Sequence, residues 1–259
     1  MATPPTPDEY WRDFLSGKFH RQMLAGRRLF GAIPTDPRCK MCNVPFGGPG
    51  GFVMRRAGFG PWEKNPTVCS MCYPDLMKHT GGAEIELTFL FADVRGSTPL
   101  AEGMPAPDYG RLISRFFRTA SSIITSSDGA VEKFVGDEVA ALYIPGFAGT
   151  DHARKAIDAA RRIIRATSAW IPVGVGVHTG RAYVGSVGDE QGILDMQALG
   201  DAPNVTARLA SAAEAGVVLV SEPAVAAAGL DVTGLEARAL TLKGKTEPVR
   251  VLVLAAAGA

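Results

Sequence analysis

A chain of 259 residues holds one large domain, or a medium domain with an appendage. At 46% hydrophobic and 20% charged residues it can bury a sizeable core and is too apolar for a disordered tail. Its 27 basic and 26 acidic residues leave a formal charge of +1, which gives no general argument for nucleic acid or an anionic membrane as partner. The most apolar stretches, 85–92 and 217–220, are strand-length and fall well short of the roughly 20 residues that span a bilayer. The first residues lack the basic start and apolar block of a secretory signal, so a cytoplasmic protein with no membrane partner is expected. In that reducing compartment the four cysteines point to metal or redox chemistry rather than to disulfides.

Residues 8–30 place Tyr10, Trp11, Phe14, Leu15, Phe19, Met23, Leu24 and Leu29 at helical spacing and predict one amphipathic helix, weakened by Gly17 and Gly26. From 33 to 66 the density of Gly and Pro, including Gly47-Gly48-Pro49-Gly50-Gly51, predicts loops fixed by something other than a hydrophobic core. A metal would serve. Cys39-Lys-Met-Cys42 and Cys69-Ser-Met-Cys72 are two CxxC pairs that use every cysteine in the chain. Four thiolates suit tetrahedral Zn²⁺, and they also suit an iron–sulfur cluster; a metal-free redox pair is the third alternative. The module is either a staple for a segment with little core or a sensor that regulates the rest of the chain. Composition shifts near Gly81-Gly82, which divides the chain into residues 1–83 and 84–259. Residues 1–85 carry eleven basic and seven acidic side chains, an excess too small to make nucleic acid a partner.

Beyond the boundary, Ile85–Val94 reads as a buried strand, and Thr98-Pro99 as a helix start with a capping hydroxyl and proline in the first turn. Tyr109–Ser126 is helical, and 130–135 with 139–144 form a hairpin across Gly136-Asp137. Asp151–Thr167 is an amphipathic helix, and 173–178 with 182–187 are expected to pair across Thr179-Gly180. A helix over 202–213, a strand over 217–220 and closing strands over 240–242 and 249–254 complete the chain. Pro203 disfavours helix at Ala202 and is expected to shift where that helix begins. Helices separated by hairpins indicate an α+β sandwich, a mainly antiparallel sheet covered by helices, rather than a doubly wound parallel one.

Two aspartates sit where a strand ends in a tight turn, Asp93 and Asp137. If the first strand lies beside the hairpin, both carboxylates converge, and two carboxylates with substrate phosphates are the usual way to hold Mg²⁺ or Mn²⁺. Behind Asp93 the amides of Val94, Arg95, Gly96, Ser97 and Thr98 lead into a helix start that favours a phosphate. The hairpin Val135-Gly-Asp-Glu-Val139 alone would also fit a diguanylate cyclase, which Lys133, Asn204 and Arg208 fit poorly.

The segments 91–98 (FADVRGST), 129–137 (GAVEKFVGD), 175–181 (VGVHTGR), 199–208 (LGDAPNVTAR) and 242–249 (LKGKTEPV) together resemble, in order, the signatures of class III adenylate/guanylate cyclases. The resemblance covers about residues 84–256 and implies a ferredoxin-like cyclase sandwich. It also implies a homodimer with composite sites that turn a nucleoside triphosphate into a 3′,5′-cyclic nucleotide and pyrophosphate. On it, Asp93 and Asp137 match the two metal-binding aspartates, with the Val94 carbonyl as an extra ligand for two Mg²⁺ or Mn²⁺ ions. Asn204 and Arg208 match the transition-state pair, and Arg181 and Lys243 match contacts to the terminal phosphates. Lys133 matches the base-recognition lysine; a protonated amine donates to adenine N1 and opposes the N–H of guanine, which favours ATP. The second base-selecting position, normally Asp or Thr, is here Gln197, whose amide can serve either purine by flipping. Guanylate or relaxed purine specificity, and a nucleotide-binding module without turnover, are the alternatives to an adenylate cyclase.

Overall fold

The computed structural model describes residues 6–18, 21–33, 35–63, 66–188, 194–241 and 247–255. They fall into two compact units, one formed by Met1–Ile85, Pro145–Phe147 and Tyr183–Ala198, the other by Glu86–Ile144, Ala148–Ala182 and Leu199–Ala259. The first unit therefore takes in two later segments that the composition shift near residue 83 does not announce.

In the first unit, α1 (Pro7–Leu15) starts with a capping box: the Thr6 hydroxyl accepts from the Glu9 amide, and the Glu9 carboxylate accepts from the Thr6 amide. Its apolar face buries Tyr10, Trp11, Phe14 and Leu15. The Trp11 indole donates to the His79 carbonyl at 2.7 Å, and Phe14 meets Phe147 edge-on at 5.4 Å. The single helix expected over 8–30 is two, because Ser16 caps α1 and Gly17, at φ +78°, turns the chain before α2 (Arg21–Gly31). The loops expected over 33–66 are also corrected: α3 (Gly48–Arg56) forms inside the glycine run, with Pro49 in the first turn where its missing N–H is not needed. The short α4 (Cys72–Met77) follows the second cysteine pair.

Among the described residues the sheet is eight-stranded. Its strands are β1 (Gly81–Val94), β2 (Ala130–Val135), β3 (Glu138–Tyr143), β4 (Val173–Gly188), β5 (Leu194–Leu199), β6 (Val217–Ser221), β7 (Glu236–Leu240) and β8 (Val249–Ala255). They run in the order β2-β3-β1-β4-β6-β8-β7, with β5 paired to β4. β4 and β6 are parallel, while β1–β3, β2–β3, β6–β8 and β7–β8 are antiparallel, in line with the expected mainly antiparallel α+β fold. The helices after β1 are α5 (Ser97–Glu102), α6 (Ala106–Ser126), α7 (Pro145–Ala148), α8 (His152–Thr167), α9 (Asp201–Ala212) and α10 (Glu222–Ala228). One face of the sheet buries Phe116, Ile124, Ile157 and Ile163 of α6 and α8 against Leu90, Tyr143, Val175 and Val218. The opposite face buries Val205 and Leu209 of α9 against Leu219 and Val251. A Cβ on Gly176 would lie 2.5 Å from the Ala210 amide nitrogen, so glycine is what lets α9 seat on β4.

Four local expectations change. The pair expected across Thr179-Gly180 is one continuous strand, and β5 pairs with it. Gly180 is needed for packing rather than turning: a Cβ there would meet the Ala202 side chain at 3.0 Å. α5 starts at Ser97 behind Gly96 in the left-handed region, so the Thr98 hydroxyl does not cap it. α9 starts at Asp201, which leaves Pro203 in its first turn, where proline is tolerated, rather than moving the start. β7 ends at Leu240 instead of beginning there, and Leu242 lies outside the described residues. Among the described residues no helix is long and apolar enough to cross a membrane.

Candidate active site and cysteine centre

The two aspartates reach one place through backbone register. β1 pairs with β3 so that Asp93 stands opposite Glu138, and the two-residue turn Gly136-Asp137, with Gly136 at φ +61°, joins β3 to β2. Asp93, Val94, Arg95, Gly96, Ser97, Thr98, Pro99 and Asp137 line one cleft of about 270 Å³. Arg95 pairs with the Asp93 carboxylate and donates to the Ser211 carbonyl at 2.7 Å, which ties the end of β1 to the last turn of α9. Glu138 was not singled out by the sequence reading. Burial, helped by the charge of Asp137, pushes its carboxyl up to about 7. Its place beside Asp137 in Gly-Asp-Glu was the available signal.

Lys133, Arg181, Asn204 and Arg208 do not line this cleft. Lys133 is exposed on β2 with its Nζ 3.7 Å from Glu132 Oε1, just past a bulge between Val131 and Lys133. Asn204 and Arg208 lie one turn apart on α9, Asn204 exposed and donating to the Gly200 carbonyl at 3.0 Å, Arg208 half-buried. Arg181 is exposed on β4. Gln197 is half-buried on β5 and belongs to the first unit. Lys243 lies outside the described residues. His178 bonds through Nδ1 to the Ser221 hydroxyl at 2.8 Å.

The four cysteines come together as two knuckles. A bridge between Arg38 and Pro45 closes the first and one between Pro61 and Cys69 the second, while the Lys40 amide donates to the Thr67 carbonyl at 2.8 Å and joins them. The sulfurs of Cys39, Cys42, Cys69 and Cys72 all lie within 4.8 Å of one another, with Cys42 and Cys69 at 3.8 Å. The Cys69 amide donates to Cys39 Sγ at 3.2 Å and the Cys72 amide to Cys69 Sγ at 3.4 Å. Four thiols this close cannot all ionise unaided: hydrogen bonds from Cys39 hold Cys42 and Cys69 down, and Cys39 and Cys72 are pushed up. A cation removes that conflict. The cluster could therefore hold a metal ion.

Comparison with known proteins bears on the region that carries the two aspartates. The family model described as the adenylate and guanylate cyclase catalytic domain matches residues 83–254. Adenylate cyclase 1 of Rhizobium meliloti (strain 1021) is 33% identical over 145 residues, 51% of this chain, and the chain spans only 22% of that relative's length. The solved structure of the guanylyl cyclase Cya2 superposes with a TM-score of 0.62 at 25% identity, covering 67% of this chain and 93% of that one. The adenylyl cyclase CyaB from P. aeruginosa gives 0.60 at 26% identity, covering 67% of this chain and 95% of that one. With the matched region taking in both aspartates, the hairpin and α9, the chain belongs to the adenylate and guanylate cyclase catalytic-domain family.

Proposed function

We propose that this protein is an adenylate cyclase that converts ATP into 3′,5′-cyclic AMP and pyrophosphate at composite sites of a homodimer, with residues 84–259 catalytic and residues 1–83 a regulatory metal module. The observation that carries the reading is the convergence of Asp93 and Asp137 on one cleft with the turn at 94–98. Two carboxylates and a main-chain carbonyl are oxygen donors of the kind Mg²⁺ and Mn²⁺ take, so the residues fit two such ions. When bound, the ions supply a lowered pKa at the ribose 3′-hydroxyl and neutralisation of phosphate charge.

The chain's own groups do the rest. The amides of Val94, Arg95, Gly96, Ser97 and Thr98 cradle the terminal phosphates, with Arg181 and Lys243 beside them. Lys133 donates to adenine N1, and Gln197 accepts from the N6 amino group. Asn204 orients the ribose, and Arg208 meets the charge that grows on the α-phosphate. The 3′-oxygen attacks the α-phosphorus and loses its proton, the bond from that phosphorus to the bridging oxygen breaks, and pyrophosphate leaves. Lys133, Asn204 and Arg208 stand off the aspartate cleft, and a second copy that brings its own set to Asp93 and Asp137 completes the site. That is the support for a homodimer.

For the cysteines we favour Zn²⁺. Sulfurs about 2.3 Å from one tetrahedral ion are about 3.8 Å apart, and Cys42 and Cys69 are separated by 3.8 Å. An iron–sulfur cluster places several atoms between its thiolates and needs them wider apart than sulfurs gathered within 4.8 Å.

Two observations favour a second reading, guanylate or relaxed purine specificity. The Gln197 amide can donate to guanine O6, and one similar structure is that of a guanylyl cyclase. The test is cyclic nucleotide production with Mn²⁺, offering ATP and GTP separately, beside Asp93→Ala. Cyclic AMP that disappears in the variant is expected. Mainly cyclic GMP would transfer the assignment to the second reading, and nucleotide binding without either product would overturn both.

A further inference from the structure

Tyr73 directly follows Cys72 and lies in the first turn of α4. Its side chain is 6% exposed and its ring stacks on Trp62 with centroids 5.7 Å apart. The phenol donates to Asp195 Oδ1 and accepts from the Met196 amide at 3.4 Å; the same amide reaches Asp195 Oδ1 at 3.0 Å. Burial alternates along β5: Met196 and Ala198 are buried, Asp195 and Gln197 half-buried. Asp195 and Gln197 therefore share a face of the strand. All of these residues belong to the first unit. β5 ends at Leu199, and the chain turns through Gly200 into α9, which carries Asn204.

The geometry points to Tyr73 as a positioning residue that fixes the strand carrying Gln197 and so couples base choice to the state of the cysteine centre. The inference rests on the reading of Gln197 as the base-contacting residue. An ion held by the four sulfurs fixes Cys72 and with it the first turn of α4. Tyr73 then has one place to stand, between Trp62 and the carboxylate of Asp195. A glutamine amide discriminates adenine from guanine only by which end it presents, so its selectivity depends on how firmly its strand is held. Loss of the ion, or of the phenol, removes the Tyr73 bond from the Asp195 carboxylate, two residues from Gln197 on the same face. The preference between the purines then weakens while the groups that carry out the reaction stay intact. Nothing in the catalytic motifs of the cyclase region announces this link, because Tyr73 lies 122 residues away from Asp195 in sequence.

Tyr73→Phe keeps the ring and removes the phenol's bonds to Asp195 and to the Met196 amide; the net worth of even one such bond corresponds to a shift of about three- to tenfold in an affinity ratio. The experiment measures kcat and KM for ATP and GTP in wild type, Tyr73→Phe, Asp195→Asn and Gln197→Ala, each before and after metal removal by a chelator. Equilibrium binding of the non-cyclisable methylene analogues of both nucleotides, and metal content, are measured in parallel. Expected is a three- to tenfold fall in the ATP:GTP ratio in Tyr73→Phe, carried by KM and by analogue binding, with kcat and metal content unchanged. Asp195→Asn, which keeps an acceptor oxygen, should retain the wild-type ratio. Metal removal should lower the ratio in wild type and add nothing in Tyr73→Phe. A wild-type ratio in Tyr73→Phe, or an equal further fall on metal removal, overturns the coupling while leaving Gln197 as base reader. If Gln197→Ala itself leaves both ratios unmoved, the base reading fails and the coupling falls with it.

Discussion

Helix α8 buries Ala153, Ala156, Ala159 and Ala160 against the sheet, whereas α3 turns Phe52 and Val53 to solvent, 62% and 61% exposed. The contrast runs through both units. The one that carries Asp93 is assembled by burial: small residues on α8 bring the helix close, and aromatic and branched residues of α6, β1 and β3 fill the space between. The one that carries the cysteines buries Trp11, Leu15, Met41 and Leu76 but leaves Leu29 70% and Met71 55% exposed, and main-chain bonds tie its segments around four sulfurs. A burial-built unit spreads its stability over many contacts, so deleting a polar surface group removes chemistry and little structure. A ligand-built unit concentrates its stability in one place, so its structure and its chemistry are lost together.

The largest effect on the burial-built side is expected at the proposed active site. Asp137→Ala and Arg208→Ala should each lower cyclic nucleotide formation by about 10²–10³-fold or more, with thermal stability close to wild type. Mixed and re-associated at random, the two inactive variants should recover about a quarter of wild-type turnover, because half the dimers are mixed and each mixed dimer holds one intact site. No recovery, in dimers shown to exchange, would remove the composite site.

On the ligand-built side, a chelator should abolish amide protection through residues 39–46, 60–63 and 66–73 while the strands β1, β3 and β6 keep theirs. Structural zinc supplies folding free energy on the order of 10 kcal/mol in small sites, more than the exposed side chains of this unit can replace. Hydrogen exchange read by mass spectrometry separates the outcomes. Equal loss of protection in both units would mean that the two are not held by different means.

The same contrast decides what the sequence makes legible. Residues that obey a period could be read: the alternation of 130–135 and 139–144 and the pair Gly136-Asp137 fix the hairpin, and with it the meeting of Asp93 and Asp137. Glycines that serve close approach could not, because Gly180 reads as a turn while the structure uses it to admit Ala202 beside a straight strand. Inside the first unit, α3 hides in a run of glycines, since what orders that run is the pairing of the knuckles and not its own propensity. The cysteine spacing announces a metal site yet says nothing of Tyr73, whose partner Asp195 lies on a short strand whose apolar–polar alternation gives no sign of what it meets.

The smallest effect tests whether polar groups inside the burial-built unit behave as burial dictates. Thr88 Oγ1 lies 2.8 Å from His152 Nδ1 and 2.7 Å from Thr179 Oγ1, and all three residues are buried. Burial holds the His152 imidazole below its ordinary value, against the opposing pull of Glu86 and Asp151. The unfolded chain, with an ordinary histidine near about 6.5, then takes up a proton that the folded chain resists, so the unfolded state gains as pH falls below that value. The contribution of His152 is present above about 6.5 and is lost as pH falls through the folded value. His152→Asn keeps a polar atom near Thr88 and removes the titration. The gap in Tm between wild type and this variant, followed in the metal-loaded protein, should narrow from pH 7 to pH 5. A constant gap would show that His152 titrates in the same range folded and unfolded, and a widening one that it is held above its ordinary value when folded; either outcome means that burial does not set its charge.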